Sequence, residues 1–173
     1  MKYFILKQDR NLENAIEIQG FNNSQKLTLL KKDADEYNNS TNVLVKGNEN
    51  SVYPDLFQSP VLLVSDALHK VFELYENTII YKIAVFSNLK MKTQEVYRLV
   101  LPELLDGLSD KTVYFKNGWV DKIVLDSKKT GDYNIFQIKA GVDYYFIASL
   151  DVVESMLKRN LFLGIKFEEV QVE

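Results

Sequence analysis

Apolar and polar positions fall into two textures along this chain. Residues 1–58 carry short apolar pieces, YFIL, AIEI, LTLL and VLV, separated by stretches dense in asparagine, including Asn22, Asn23, Asn38, Asn39, Asn42, Asn48 and Asn50. KKDADEYNNSTN, at 31–42, holds almost no apolar residue and reads as a surface loop. This third predicts short strands or turns joined by long loops. From Ser59 the pattern sharpens. PVLLV (60–64) is a buried-strand run. Ser65 and Asp66 then start a helix, the serine oxygen capping free amides and the aspartate complementing the helix dipole. Ala67, Leu68, Val71, Phe72 and Tyr75 follow at helical spacing, and Glu76-Asn77 ends it. IIYKIAVF (79–86) is apolar on both faces, which predicts a central strand.

TQEVYRLVL (93–101) predicts a strand that stops at Pro102, a residue that cannot donate to a ladder. PELLDG predicts a short helical turn closed by Gly107. In VYFKNGWVDKIVL, Asn117-Gly118 between strand-like runs predicts a type I′ hairpin with positive φ at both residues. A polar turn over 128–132, strands over 133–139 and 144–148, and a helix capped by Ser149 come next. Val152, Val153, Met156 and Leu157 form that helix's inner stripe, and Asn160 suits a left-handed stop. In the last strand, GIKFEEVQV, Ile165 and Phe167 face one way and Val170 and Val172 the other. Either both faces are covered or a bulge at Glu168-Glu169 shifts the register. The whole predicts a single domain over 1–173, with a loop-rich N-terminal lobe (1–58) and an α+β core (59–173). The expected fold class is α+β, a mostly antiparallel sheet with a few packed helices.

Composition narrows the function. Hydrophobic residues make up 46% and charged residues 26% of the 173, ordinary for a globular domain. The net charge of −3 and the dispersed lysines and arginines argue against direct nucleic-acid binding, which favours a basic face. There is no cysteine, so disulfides, thiolate metal sites and cysteine nucleophiles are excluded together. Apolar runs are far shorter than a membrane span. MKYFILKQDR lacks the length and cleavage site of a signal peptide, so a cytoplasmic protein without membrane contact is expected.

Candidate catalytic groups are sparse. His69 is the only histidine, and it falls off the apolar stripe of its helix beside Glu73, which predicts an exposed, solvated side chain. Ser65, Asp66 and His69 lie close in sequence, but a capping serine points at helix amides and no Gly-x-Ser-x-Gly elbow is present. Glu168 and Glu169 are adjacent, so on a strand they face apart. No calcium loop, zinc helix or glycine-rich phosphate loop occurs, and no cofactor is expected. Tyr97, Tyr114, Phe115, Tyr133, Phe136, Tyr144, Tyr145 and Phe146 lie on predicted strands, where aromatics pack cores and cross-strand pairs. Trp119, beside the hairpin turn, belongs either to an exposed hot spot or, through alternation with Asp121, Ile123 and Leu125, to the core face. The candidate partner-binding residues are Trp119, Asp121, Glu168 and Glu169.

The segment IFQIKAGVDYYFIASLDVVESMLKRNLFLGIKFEEVQV carries a further pattern. Ile135-Phe136 begin a strand, Phe146–Ser149 end one in serine, Val152–Leu157 form an amphipathic helix, and Leu163-Gly164 lead into a strand through Val170. This order resembles the C-terminal signature of a bacterial immunity-protein family of the polymorphic toxin systems, immunity protein family eleven, formerly a domain of unknown function. The run from Val61 through Ser65 and Leu68 to Val85 resembles that family's strand–serine–helix–strand. The similarity covers about residues 55–173; Gln137 stands where the pattern has arginine. The resemblance implies a cytoplasmic protein that binds and neutralises a cognate toxin without catalysis, with Ser149, Gly164 and Phe167 as fold determinants. Two alternatives from other classes are a self-associating structural or adaptor module that forms a homo-oligomer, and a small enzyme using His69.

Overall fold

The computed structural model describes residues 1–21 and 26–173; the asparagines expected to sit in a loop at 22 and 23 lie outside the described residues. The chain forms β1 (Tyr3–Gln8), β2 (Glu17–Ile18), a 3-10 turn (Lys31–Glu36), β3 (Ser40–Lys46), β4 (Leu56–Phe57), β5 (Leu63–Ser65) and α1 (Asp66–Tyr75). It continues through β6 (Ile80–Asn88), β7 (Thr93–Leu101), β8 (Leu104–Leu105), β9 (Val113–Tyr114), β10 (Val120–Lys122), β11 (Val124–Leu125) and α2 (Ser127–Thr130). It ends with β12 (Ile135–Ala140), β13 (Asp143–Ser149), α3 (Leu150–Lys158) and β14 (Ile165–Val172).

Two six-stranded sheets, ordered β11-β14-β1-β13-β12-β8 and β2-β3-β6-β7-β5-β4, curl as half-barrels, and β9-β10 forms a separate hairpin. This corrects the expected α+β class with a mostly antiparallel sheet. The chain is mostly strand, 42% against 17% helix, and both large sheets are mixed. β3 runs parallel to β6, β12 to β8 and β11 to β14. The physical reason is connectivity. β3 reaches β6 only after a long crossover through β4, β5 and α1, and long crossovers permit parallel pairing. Residues 1–58 supply β1 at the centre of the first sheet and β2, β3 and β4 to the second.

A central core joins the sheets. Leu6, Ile135, Phe146 and Ala148 of the first sheet meet Val64 and Val100 of the second, with Leu68, Phe72, Val152 and Met156 of the two helices between them. Phe72 and Phe146 cross there edge to face at 5.9 Å. Each such side chain contributes roughly 1.5–3 kcal/mol on burial. A second cluster, with Tyr3, Phe136 and Ile147, covers the first sheet's outer face, and a third, with Phe57, Phe86 and Tyr97, lies on the second sheet's outer face. Ile165 and Phe167 therefore pack on the central core while Val170 and Val172 pack on the second cluster. β14 pairs with β1 without a break from Ile165 to Val170, so the tail needs no bulge.

Local chemistry explains the element boundaries. Ser65 Oγ accepts the Leu68 amide at 3.2 Å and so caps α1. Ser149 precedes α3 in extended backbone but caps nothing with its side chain; its hydroxyl donates to Asn134 Oδ1 at 2.9 Å. Asn160 stops α3 with φ 54°. PELLDG is not a helical turn: Leu104 and Leu105 form β8 against Gln137 and Ile138, while the polar turn near 128 is the short helix α2 capped by Asp126. Among the described residues no helix is long and apolar enough to cross a membrane.

Candidate partner-binding site

The hairpin closes differently from the expected type I′ turn. Gly118 alone takes positive φ, 84°, and its amide donates to the Phe115 carbonyl at 2.9 Å. The loop is thus three residues, Lys116, Asn117 and Gly118, a type I turn with glycine in the left-handed position. Asn117 Oδ1 accepts the Trp119 amide at 3.1 Å, and the Phe115 amide reaches the Trp119 carbonyl at 2.8 Å. Beyond it the register shifts: Val120 pairs with Tyr114 and Lys122 with Val113, which leaves Asp121 as the extra residue of a bulge.

That bulge settles where Trp119 points. Unbroken alternation would put Trp119 on the face of Ile123 and Leu125, which are buried. The extra residue at Asp121 breaks the alternation, and Trp119 stays 52% exposed beside Phe115 at 54%. Tyr114, Val113 and Val142 are also exposed. Val120 packs on the second core cluster and anchors the strand. The Gly141 turn lies against the Gly118 carbonyl so closely that a Cβ on Gly141 would meet it at 2.6 Å. The sequence pattern placed Tyr114 and Phe115 on strands, where aromatics mostly pack; of the eight aromatics named there, Tyr97, Phe136 and Phe146 are buried, and Tyr3, Phe57 and Phe86 are buried on other strands. The signal was local: a loop of Lys-Asn-Gly gives its flanking aromatics no sheet to cover.

Glu168 and Glu169 stand apart from the aromatic hairpin and from each other. Glu168 shares the face of Ile5 and is ion-paired to Lys7; Glu169 shares the face of Phe4 and lies 3.4 Å from Lys2. Burial, reinforced by the charges of Asp143 and Glu168 and by Tyr114, pushes the Tyr145 phenol up from its ordinary value.

His69 is not the solvated side chain its helical position suggests; only 9% of it is exposed. Its ring meets Tyr81 of β6 edge-on at 4.3 Å, and Nε2 lies 3.2 Å from Glu73 Oε1. Nδ1 is 4.0 Å from Asp66 Oδ1 and finds no hydrogen-bond partner among the described residues, as is true of the Tyr81 hydroxyl. Asp66 is taken by Arg98, which donates from Nε at 3.0 Å and from its terminal nitrogen at 2.8 Å. Those bonds and Lys70 hold the Asp66 carboxyl below its usual range, while burial lowers the His69 imidazole. Ser65 donates to Asp55 Oδ1 at 2.7 Å instead of to His69, so Ser65, Asp66 and His69 do not form a relay. Among the described residues no cluster of three or more His, Asp or Glu side chains is placed to hold a metal ion.

No protein-family model matches the chain, and no curated protein matches it. The likeness of residues 55–173 to an immunity family therefore rests on the residue pattern alone.

Proposed function

We propose that the chain is an immunity protein that binds a cognate bacterial toxin domain and neutralises it by occlusion, without catalysis of its own. The observation that carries this reading is the exposed pair Phe115 and Trp119, held on a short hairpin between the Val120 anchor and the Gly141 turn. Large aromatics left in solvent on a braced element are the composition and setting of interface hot spots. The strand–serine–helix–strand order of the C-terminal segment supports the same reading. Asp121, unpaired in the bulge, lies beside the aromatics. Glu168 and Glu169 contribute less, because each already faces a lysine of its own chain and surface pairs of that kind are worth little.

The test is capture followed by rescue. The tagged chain is used as bait in the bacterium that encodes it, and the captured protein's C-terminal domain is expressed alone. Growth arrest by that domain, relieved when this chain is co-expressed and restored by Trp119→Ala with Phe115→Ala, is the expected result. A captured domain that is harmless, or toxicity that the chain fails to relieve, overturns the reading.

A further inference from the structure

The first sheet splits at one end, between β1 and β13. Their ladder runs from Tyr3 opposite Ser149 to Ile5 opposite Ile147 and stops there, although β1 continues to Gln8 and β13 begins at Asp143. β1 stays paired with β14 as far as Gln8, and β13 with β12 as far as Asp143. The two strands therefore part, and a cleft of about 430 Å³ opens between Leu6–Gln8 and Asp143–Phe146. Gln58 wedges the β1 side. Its Nε2 donates to the Leu6 carbonyl at 2.9 Å and its Oε1 accepts the Gln8 amide at 3.0 Å.

The β13 side is left with donors. The Leu150 amide donates to the Lys2 carbonyl, and the Ser149 amide to the Asn134 carbonyl. Along β13, even-numbered residues thus turn their N–H toward β1 and odd-numbered ones toward β12. The amides of Tyr144 and Phe146 face the cleft. Among the described residues no acceptor reaches them: the ladder has ended, and the Leu6 carbonyl that would meet Phe146 is held by Gln58. Phe146 is 1% exposed, and a buried amide without an acceptor is rare in folded chains.

Charge decides which acceptor fits. Lys7, Arg10 and Lys26 line the cleft against one anion, Asp143. Lys7 is neutralised by its ion pair with Glu168. Among the described residues Arg10 and Lys26 make no ion pair; Lys26 reaches the Tyr144 carbonyl at 3.5 Å. Two unpaired cations against one carboxylate leave one positive charge beside the two inward amides. A group with a single negative charge and acceptor oxygens matches that balance. Ile5, Leu6 and the two tyrosines, Tyr144 and Tyr145, supply an apolar lining for the rest of such a ligand.

We propose that the cleft between β1 and β13 binds a small organic monocarboxylate, its carboxylate taking the Phe146 amide and the Arg10 and Lys26 side chains and its hydrocarbon body lying against Tyr144 and Tyr145. Nothing in this site depends on the function proposed above.

The probes are 3-phenylpropionate, its neutral amide and the dianion phenyl phosphate, each titrated into the full chain at pH 7.5 and followed by calorimetry and nitrogen–proton correlation spectra. 3-Phenylpropionate should bind saturably, with the Tyr144 and Phe146 amide signals moving most. The neutral amide should bind at least tenfold more weakly, and phenyl phosphate no more tightly. Arg10→Gln with Lys26→Gln should weaken 3-phenylpropionate at least tenfold, and Asp143→Asn, which raises the net positive charge by one, should turn the preference to phenyl phosphate. Arg10 and Lys26 are exposed, so the double variant should keep the parent circular dichroism spectrum. No saturable binding, equal binding of the carboxylate and its amide, or binding unchanged in the double variant overturns the proposal. Signals that move only outside Asp143–Phe146, or a parent that prefers phenyl phosphate, overturn it as well.

Discussion

Asp55 is the residue on which the tail and the second sheet depend together, and its removal gives the sharpest test of how the fold is held. Its carboxylate is buried and accepts the Ser65 hydroxyl at 2.7 Å and the Leu163 amide at 2.9 Å. Its own amide donates to the Leu163 carbonyl at 2.8 Å and its carbonyl accepts the Ser65 amide at 3.0 Å. One residue thus ties the start of α1 to the loop that feeds β14. Asp55→Ala leaves the backbone bonds but strips the acceptor from two donors. A hydrogen bond to a charged group is worth about 1.5–3 kcal/mol, and a buried donor left unmade carries a cost of similar size. The serine hydroxyl can rotate and keeps its capping bond, so its loss lies at the low end. The expected total is about 3 kcal/mol. Asp55→Asn keeps the shape and one acceptor but turns an NH₂ toward the other donor, and should cost roughly half as much. Urea unfolding at pH 7, followed by far-ultraviolet circular dichroism, measures both, and hydrogen exchange should show the Leu163 amide losing protection first. A cost below about 1 kcal/mol for Asp55→Ala, or equal costs for the two variants, would refute the assignment.

Further outcomes follow from the same geometry. Gly164 has φ 73° and a Cβ there would meet Pro54 Cβ at 2.7 Å, whereas Gly118 has φ 84° and open space. Gly118→Ala should cost only the left-handed penalty of about 1–2 kcal/mol, and Gly164→Ala measurably more, because a proline ring yields little; equal unfolding midpoints for the two would contradict the contact. Burial holds the His69 imidazole below its ordinary value, so the unfolded chain takes up that proton first as pH falls. Its contribution to stability is fully present above an unfolded value of roughly 6.5 and is lost as pH drops through it toward the lower folded value. The parent should therefore be less stable at pH 5.5 than at 7.5, and His69→Phe, which keeps the ring against Tyr81, should flatten that slope; a slope unchanged in the variant would exclude His69 as its source.

Local signals were legible where a residue and its nearest neighbours decide the outcome. Ser65 as a cap, Asn160 as a left-handed stop and both long hairpin strands β6 and β7 follow from spacing of a few residues. What failed in the sequence was set by residues far along the chain. Ser149 looks like Ser65, but Asn134 takes its hydroxyl, and nothing near position 149 announces that. His69 sits off its helix's apolar stripe, yet Tyr81 from β6 packs against its ring and Arg98 from β7 holds the neighbouring Asp66. Trp119 changes face because one extra residue enters the ladder at Asp121, and alternation counted along the strand does not see a bulge. The sheet's mixed direction is the same kind of failure: apolar patterns locate strands, but only the path of the crossover between β3 and β6 decides that they run parallel.

That crossover also bears on what the asparagine-rich first third is for. A parallel strand delivered by a long connection arrives without a hairpin partner on its far side, and here, among the described residues, the two residues of β2 and the Gln19 amide cover that side in part. β3 therefore reaches the end of the sheet with polar backbone to spare, while the connection it leaves behind carries Val61 and Leu63 into an apolar groove beside it. An antiparallel hairpin at the same place would have spent those backbone groups internally. Residues 1–58 are built into both sheets, with β1 inside the first and β2, β3 and β4 in the second, where β2 and β4 form the two ends. Loops and short strands on a rigid frame are where recognition is carried at least cost to the core.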